Sequence, residues 1–150
     1  FDSYLMTLGL ETLSLRVRHE VESARRLAEY CRNHPKVERV SFVGFESHPS
    51  YANAKKYFRF GSSAVFTIEL KGTLDGTVRF VESLNLAAHM VMIGDSVTVV
   101  THPASTTHKQ LSDADLAAAG VTPTMLRISV GLENTDDLID DFEQAFAHIG

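Results

Sequence analysis

The sequence predicts an α/β fold, a two-layer α+β sandwich in which helices cover one face of a mostly antiparallel sheet. Segments of helical and strand periodicity alternate along the chain, in the order α-β-α-β-α-β-β-α-β-α. The 150 residues suffice for one domain with a substantial core, since 44% of them are hydrophobic. No linker, repeat or low-complexity tract divides the chain.

The pattern of residues 1–33 predicts one long helix. Charged residues cover one side, and apolar residues recur at three- and four-residue steps on the other. The apolar stripe consists of Met6, Leu10, Leu13, Val17, Val21, Ala24, Leu27 and Cys31. His34-Pro35 ends the helix, because proline disfavours helical geometry in the residue before it. The α/β domain itself is then expected over residues 34–150.

Strands are predicted where β-branched and aromatic residues concentrate. These stretches are residues 37–43, 64–70, 125–130 and the apolar region 86–100, which Gly94-Asp95 divides into two short strands. Helices are expected over residues 50–58, 74–83 and 112–120, the last of these capped by Ser112. A final helix capped by Thr135 presents an apolar stripe of Leu138, Ile139, Phe142, Ala145, Phe146 and Ile149. Its acidic residues, including Asp141, are interpreted as solvated surface.

Composition and charge exclude several classes of function. A net charge of −5 argues against nucleic acid as a partner, since phosphates require a basic surface. Cys31 is the single cysteine, which excludes an intramolecular disulfide and a cysteine-rich zinc site and suits a reducing cytoplasm. We expect no signal peptide, because the sequence opens directly on a helix-like pattern, and no apolar run approaches the roughly 20 residues of a membrane span, so no membrane partner is expected.

Arg127 is the strongest candidate for a binding residue. Within the predicted strand it points to the sheet face opposite to that of Leu126 and Ile128. A strand arginine can simply face water. In a cleft, however, its planar guanidinium is suited to binding a carboxylate through two parallel hydrogen bonds.

The loop of residues 101–108, Thr-His-Pro-Ala-Ser-Thr-Thr-His, concentrates hydroxyl and imidazole groups. Its two histidines lack helical i, i+4 spacing and a nearby acidic ligand, so no metal is expected. Ser105 and His108 could be interpreted as a nucleophile and its base, but the Gly-x-Ser-x-Gly elbow that would support this interpretation is absent from the sequence. A packed, hydrogen-bonded loop is the simpler interpretation, and no complete catalytic constellation is apparent.

Several motifs together resemble the C-terminal domain of the pyridoxal-phosphate (PLP)-dependent Cys/Met-metabolism family. They are Gly94-Asp95-Ser96 leading into residues 102–108, residues 126–133 followed by Asp136-Asp137-Leu138-Ile139, and Ser47-His48-Pro49 with Ala54-Lys55-Lys56-Tyr57. The opening residues 8–13 fit the family's long inter-domain helix. The resemblance covers essentially the whole chain and implies the small C-terminal domain of a fold-type I PLP-dependent transferase.

Within that family, Thr106-Thr107 followed by Gln110-Leu111 is similar to the O-acetylhomoserine sulfhydrylase branch. Lyases and cystathionine synthases more often have Ser-Met-Thr-His there. Those relatives also carry a serine before Leu-Gly that helps to hold the substrate. Met92 stands at that position here, which is typical of the sulfhydrylases and removes one hydroxyl from the site.

The resemblance implies a reaction and roles for four residues. Arg127 would bind the α-carboxylate of an amino-acid substrate, and Met92, Ser105 and Thr106 would lie at the substrate site. The implied reaction is a γ-replacement in which sulfide displaces acetate from O-acetylhomoserine to give homocysteine. An O-succinylhomoserine sulfhydrylase, a cystathionine γ-synthase or a γ-lyase are alternatives within the family. A non-catalytic α/β binding module is the alternative outside it.

The resemblance also places the PLP cofactor outside this sequence. The family's Schiff-base lysine lies in a large N-terminal domain, in a Ser-x-Thr-Lys context. The five lysines here, none of which has that context, are Lys36, Lys55, Lys56, Lys71 and Lys109. The chain alone should therefore hold no catalytic or cofactor-binding residue and should be inactive. Its expected partners are its own PLP domain and identical subunits in a homotetramer, and without them apolar surfaces of residues 1–33 and 87–93 should be exposed.

Overall fold

The structure is a computed structural model that describes residues 1–59 and 61–149. It begins with two consecutive helices, α1 (Asp2–Glu11) and α2 (Leu13–Asn33). The expectation of one continuous helix is therefore wrong at Thr12, where φ is −106° and ψ is 0°. Two poor helix formers, Gly9 and Thr12, lie at this junction. The Arg16 guanidinium donates to the Gly9 carbonyl oxygen there, at 2.7 Å.

The apolar stripe predicted for this region is buried only at its C-terminal end. Ala24, Leu27 and Cys31 are fully buried, whereas Met6 and Leu10 are 71% and 63% exposed. The reason is that α2 packs against the sheet and the last helix, while α1 buries none of its residues. The expected exposure of apolar surface in the first 33 residues is thereby confirmed.

Five strands form a single sheet in the order β1-β2-β5-β4-β3. They are β1 (Val37–Ser41), β2 (Val65–Leu70), β3 (Ala88–His89), β4 (Val99–Thr101) and β5 (Met125–Ser129). All neighbouring pairs are antiparallel except β3 with β4. The predicted mostly antiparallel sheet is thus confirmed. β1 ends two residues earlier than expected, because Phe42 leaves the strand and packs into the core.

Four more helices follow: α3 (Tyr51–Tyr57), α4 (Leu74–Glu82), α5 (Asp113–Ala118) and α6 (Thr135–Phe146). Ser112 caps α5 as predicted, since its Oγ accepts from the Asp115 N–H at 3.2 Å. The predicted cap of α6 is wrong by one residue, because Asn134 Oδ1 accepts from the Asp136 N–H at 2.8 Å. None of the helices in the described ranges is long and apolar enough to cross a membrane.

The hydrophobic core lies between one sheet face and helices α2, α4 and α6, which confirms the two-layer prediction. The strands contribute buried side chains at alternate positions, and α6 contributes most of its predicted stripe. The main sheet residues in the core are Phe66, Ile68, Val100, Leu126 and Ile128. Because successive strand residues point to opposite faces, the residues between them lie on the face that these helices do not cover.

Candidate functional site

Arg127 lies at the centre of a polar row on the sheet face opposite to the core. Strand pairing places Thr67 of β2 on one side of it and Thr101 of β4 on the other. Leu126 and Ile128 are fully buried in the core, so the predicted orientation of Arg127 is confirmed. Arg127 itself is half-buried, which distinguishes it from an ordinary solvated strand arginine.

The Arg127 guanidinium is held along one edge only. Its Nη2 donates to Thr101 Oγ1 at 3.3 Å and lies 3.5 Å from the Met92 carbonyl oxygen. Its Nε is buried and has no hydrogen-bond partner within residues 1–59 and 61–149. No carboxylate in the described part of the chain forms an ion pair with this arginine. A buried donor without an acceptor costs free energy, and a guanidinium pairs most strongly with an anionic acceptor, so the chemistry of this site suits an anion.

The segment of residues 85–98 brings Met92 to Arg127, and two carboxylates hold its ends. Asp141 of α6 accepts from the backbone N–H groups of residues 85–87 at 2.8–3.0 Å. Glu133 accepts from the Thr98 backbone N–H at 2.6 Å and from the Thr98 hydroxyl at 2.7 Å. Asp141 is 6% exposed, so its interpretation as solvated surface is wrong. The distance of its partners along the chain explains why local sequence did not reveal this role.

The same segment approaches the backbone after β5 very closely. A Cβ at Gly131 would lie 2.5 Å from the Ser96 carbonyl oxygen, so only glycine fits there without a shift. In the middle of the segment, the Gly94 N–H donates to Ser129 Oγ at 3.2 Å. These contacts fix the segment relative to β5 and therefore fix the Met92 carbonyl relative to Arg127.

Apolar side chains of this segment lie exposed beside the site. Met90, Val91, Met92 and Ile93 are 46–61% exposed. The expected apolar surface is confirmed for these four residues, but Ala87 is buried at 5% exposure and does not belong to it.

The loop after β4 is packed and internally hydrogen-bonded, as its simpler interpretation predicts. His102 is 1% exposed, with Nε2 2.9 Å from the Pro123 carbonyl oxygen and Nδ1 2.7 Å from Ser105 Oγ. Because a carbonyl only accepts, Nε2 carries a proton, and in the neutral imidazole Nδ1 then accepts from the Ser105 hydroxyl. The imidazole of His108 contacts Thr107 Oγ1 at 2.8 Å, so Ser105 pairs with His102 and not with His108.

Of the four site residues predicted from sequence, the structure brings Met92 to Arg127. Ser105 and Thr106 instead contact His102, since Thr106 Oγ1 donates to the His102 carbonyl oxygen at 2.7 Å. Their contact with substrate stays a prediction. Sequence reasoning missed Thr101, whose strand neighbourhood with Arg127 depends on the pairing of β4 with β5. Among the described residues, no group of three or more His, Cys, Asp or Glu side chains is placed to hold a metal ion.

Comparison with known proteins assigns the chain to a class. The family model for Cys/Met metabolism PLP-dependent enzymes matches residues 1–147. The chain belongs to this family.

Individual relatives are similar to this chain along almost all of its length. The chain is 46% identical over 145 residues to a homocysteine synthase of Schizosaccharomyces pombe, covering 97% of this chain and 34% of that protein. It is 43% identical over 147 residues to O-acetyl-L-homoserine sulfhydrylase 1 of Thermus thermophilus, covering 98% of this chain and 35% of that protein. The chain thus spans about a third of the length of these curated relatives.

A solved structure confirms the predicted fold. The crystal structure of an O-acetylhomoserine (thiol)-lyase from Campylobacter jejuni matches with a TM-score of 0.89 and 36% sequence identity. The match covers 96% of this chain and 34% of that one. That structure carries N'-pyridoxyl-lysine-5'-monophosphate. The present fold is therefore one that occurs within a PLP-dependent enzyme.

Three of the five lysines have partners elsewhere in this chain. Lys36 Nζ donates to the Ile149 carbonyl oxygen at 2.7 Å. Lys55 and Lys56 lie over the rings of Tyr51 and Tyr57 on their own helix. None of the hydrogen bonds described above around Arg127 involves a lysine.

Proposed function

We propose that this chain is the C-terminal domain of a PLP-dependent O-acetylhomoserine sulfhydrylase, in which Arg127 binds the α-carboxylate of the amino-acid substrate. One observation carries the proposal: the half-buried guanidinium has neutral acceptors along one edge, and within residues 1–59 and 61–149 it has no anionic partner and no acceptor for its buried Nε–H. The relatives named homocysteine synthase and O-acetyl-L-homoserine sulfhydrylase support the reaction. In it, sulfide replaces the acetate of O-acetylhomoserine to give homocysteine.

The chemistry of Arg127 fits a carboxylate better than a neutral ligand. A carboxylate supplies two acceptor oxygens in the plane of the guanidinium, and such charge-assisted pairs are about twice as strong as neutral hydrogen bonds. Thr101 and the Met92 carbonyl engage only Nη2, which leaves the other donors of the fork for the substrate. Binding through two parallel hydrogen bonds also fixes the direction of the substrate.

Met92, Ser105 and Thr106 have supporting roles in this proposal. Met92 supplies a carbonyl to Arg127 and an exposed thioether beside it, where the family's serine would supply a hydroxyl. Ser105 and Thr106 stabilise the loop after β4 through His102 and place that loop next to the substrate.

The proposed parent enzyme carries PLP on a large domain that is not part of this sequence. PLP, when bound, supplies an electron sink for the replacement at the γ-carbon. This chain contributes the orientation of the substrate, is inactive alone, and has residues 1–33, which form α1 and α2, as the segment leading into residues 34–150. We propose its PLP domain and identical subunits, in a cytoplasmic homotetramer, as the partners that cover α1 and Met90–Ile93. Their exposed apolar side chains support an interface, since large apolar patches usually mark one.

Arg127 substitutions in the intact enzyme test the proposal. Arg127→Ala should raise KM for O-acetylhomoserine and lower kcat/KM at least ~100-fold, because losing a charge-assisted bidentate contact costs about 3 kcal/mol. Arg127→Lys should recover only part of this loss, since an ammonium lacks the planar fork. PLP content, followed by absorbance, should not change. The measurement is steady-state kinetics with O-acetylhomoserine and sulfide varied separately.

Arg39 provides the matched control. It is also a strand arginine, but its side chain is 62% exposed and already forms an ion pair with Glu69. Arg39→Ala should change kcat/KM less than about twofold, because exposed ion pairs contribute little. Similar kcat/KM values for wild type and both Arg127 variants would exclude the carboxylate assignment.

A further inference from the structure

We infer that Thr101 is a positioning residue, which sets the orientation of the Arg127 guanidinium and couples it to the segment of residues 85–98. The inference rests on the proposed carboxylate-binding role of Arg127 and assigns a second residue to the same site. Thr101 is the last residue of β4 and the direct strand neighbour of Arg127. It is 1% exposed, so water does not compete for its hydroxyl.

The hydrogen bonds of Thr101 have a fixed direction. Its Oγ1 lies 2.6 Å from the Met90 carbonyl oxygen and 3.3 Å from Arg127 Nη2. A carbonyl cannot donate, so the single hydroxyl proton goes to Met90. The lone pairs of Oγ1 then face Arg127, whose guanidinium can only donate. One buried hydroxyl therefore connects the segment to the arginine.

This connection decides which donors of Arg127 are free. The hydroxyl and the Met92 carbonyl both engage Nη2 and leave Nε without a partner in the described part of the chain. Without the hydroxyl, the terminal torsions of the arginine lose a constraint, and the Met90 carbonyl loses its donor. Substrate binding would then have to order the guanidinium, which weakens binding of the carboxylate.

Thr67 shows that a threonine next to Arg127 in the sheet does not necessarily form a hydrogen bond to it. It flanks Arg127 on the other side, in β2, and is also a threonine. Within the described ranges, the Thr67 hydroxyl makes no hydrogen bond to Arg127. The Arg127 guanidinium instead donates to the Thr101 hydroxyl and the Met92 carbonyl. The two threonines thus form a matched pair that differs in hydrogen bonding to the arginine.

The test uses Thr101→Val, Thr101→Ser and Thr67→Val in the intact enzyme. Thr101→Val should lower kcat/KM for O-acetylhomoserine about 10-fold, mainly by raising KM, because one buried hydrogen bond of about 1 kcal/mol and the order it imposes are lost. KM for sulfide should stay within about twofold of wild type, because sulfide has no carboxylate; a general loss of structure would instead lower the apparent kcat without raising KM for O-acetylhomoserine. Thr101→Ser should stay within about threefold of wild type, and Thr67→Val should match wild type.

A double-mutant cycle separates positioning from folding and from the proposed function. In the Arg127→Ala background, Thr101→Val should have less than about a twofold further effect, because there is no guanidinium left to position. Equal effects of Thr101→Val in both backgrounds, or no rescue by serine, would overturn the inference. Should Arg127→Ala itself retain wild-type kcat/KM, the proposed function fails. Loss of activity in Arg127→Ala together with wild-type Thr101→Val overturns the positioning role alone.

Discussion

The two faces of the sheet differ in whether this chain supplies packing or hydrogen-bond partners for the buried groups on them. On the helix-covered face, Ile68, Leu126 and Ile128 are fully buried among apolar neighbours. On the other face, Arg127 is half-buried, with a buried Nε that no described residue accepts from. The first face is covered by helices of this chain, whereas on the second a buried donor has no acceptor among the described residues. One step along β5 therefore separates residues that stabilise the fold from the residue proposed to bind substrate.

The largest expected effect on stability belongs to the covered face. Phe142 of α6 is fully buried and packs edge to face on Phe80, with ring centroids 5.5 Å apart. Phe142→Ala should reduce the free energy of unfolding by about 3–5 kcal/mol, through lost burial and the cavity left behind. Urea unfolding followed by circular dichroism measures this. A loss below about 1 kcal/mol would mean that the core is not closed as described.

A smaller effect on the free energy of unfolding is expected at Asp141, which connects α6 to the segment of residues 85–98. Its carboxylate accepts from three consecutive backbone N–H groups, and Asp141→Ala leaves those buried or half-buried donors unpaired. The free energy of unfolding should fall by about 2–3 kcal/mol. Asp140, the exposed residue before Asp141 in the same helix, is the control. Asp140→Ala should change the free energy of unfolding by less than about 0.5 kcal/mol. Equal losses for both variants would refute the role of Asp141.

Asp141 and Arg127 also show which features sequence patterns can predict. Alternation of apolar and polar residues in β5 correctly placed Arg127 opposite Leu126 and Ile128, because the strand period is a local property. The partners of Asp141 lie 54–56 residues away in the chain, and no local pattern encodes such a contact. The neighbourhood of Thr101 and Arg127 likewise depends on which strands pair.

The first two helices show a second limit of sequence patterns. An apolar stripe recurs through both, yet it is buried only in the C-terminal half of α2, since Leu13 and Val17 are exposed. Periodicity indicates which side of a helix is apolar, but it does not indicate whether a partner covers that side within the same chain.

The smallest effect on stability is expected in α1. The double substitution Met6→Glu and Leu10→Glu should change the free energy of unfolding of this chain by less than about 0.5 kcal/mol, because both side chains are largely exposed. We expect the chain alone to self-associate through its exposed apolar surface, and the double substitution should reduce this association, which sedimentation velocity measures across a concentration series. Leu27→Ala, in the buried part of α2, should by contrast cost about 2–5 kcal/mol. Destabilisation of similar size at both places would contradict the distinction between the two helices.

The central claim is the division of roles between neighbouring residues of β5, and Arg127→Ala and Ile128→Ala test it most directly when each is measured for stability and for activity. Arg127→Ala should lower kcat/KM for O-acetylhomoserine at least ~100-fold in the intact enzyme and change the free energy of unfolding by less than about 1 kcal/mol. Ile128→Ala should lower the free energy of unfolding by about 2–5 kcal/mol. Where it stays folded, kcat/KM should fall less than about 10-fold. The opposite pattern, with a destabilised and active Arg127→Ala, would contradict the account.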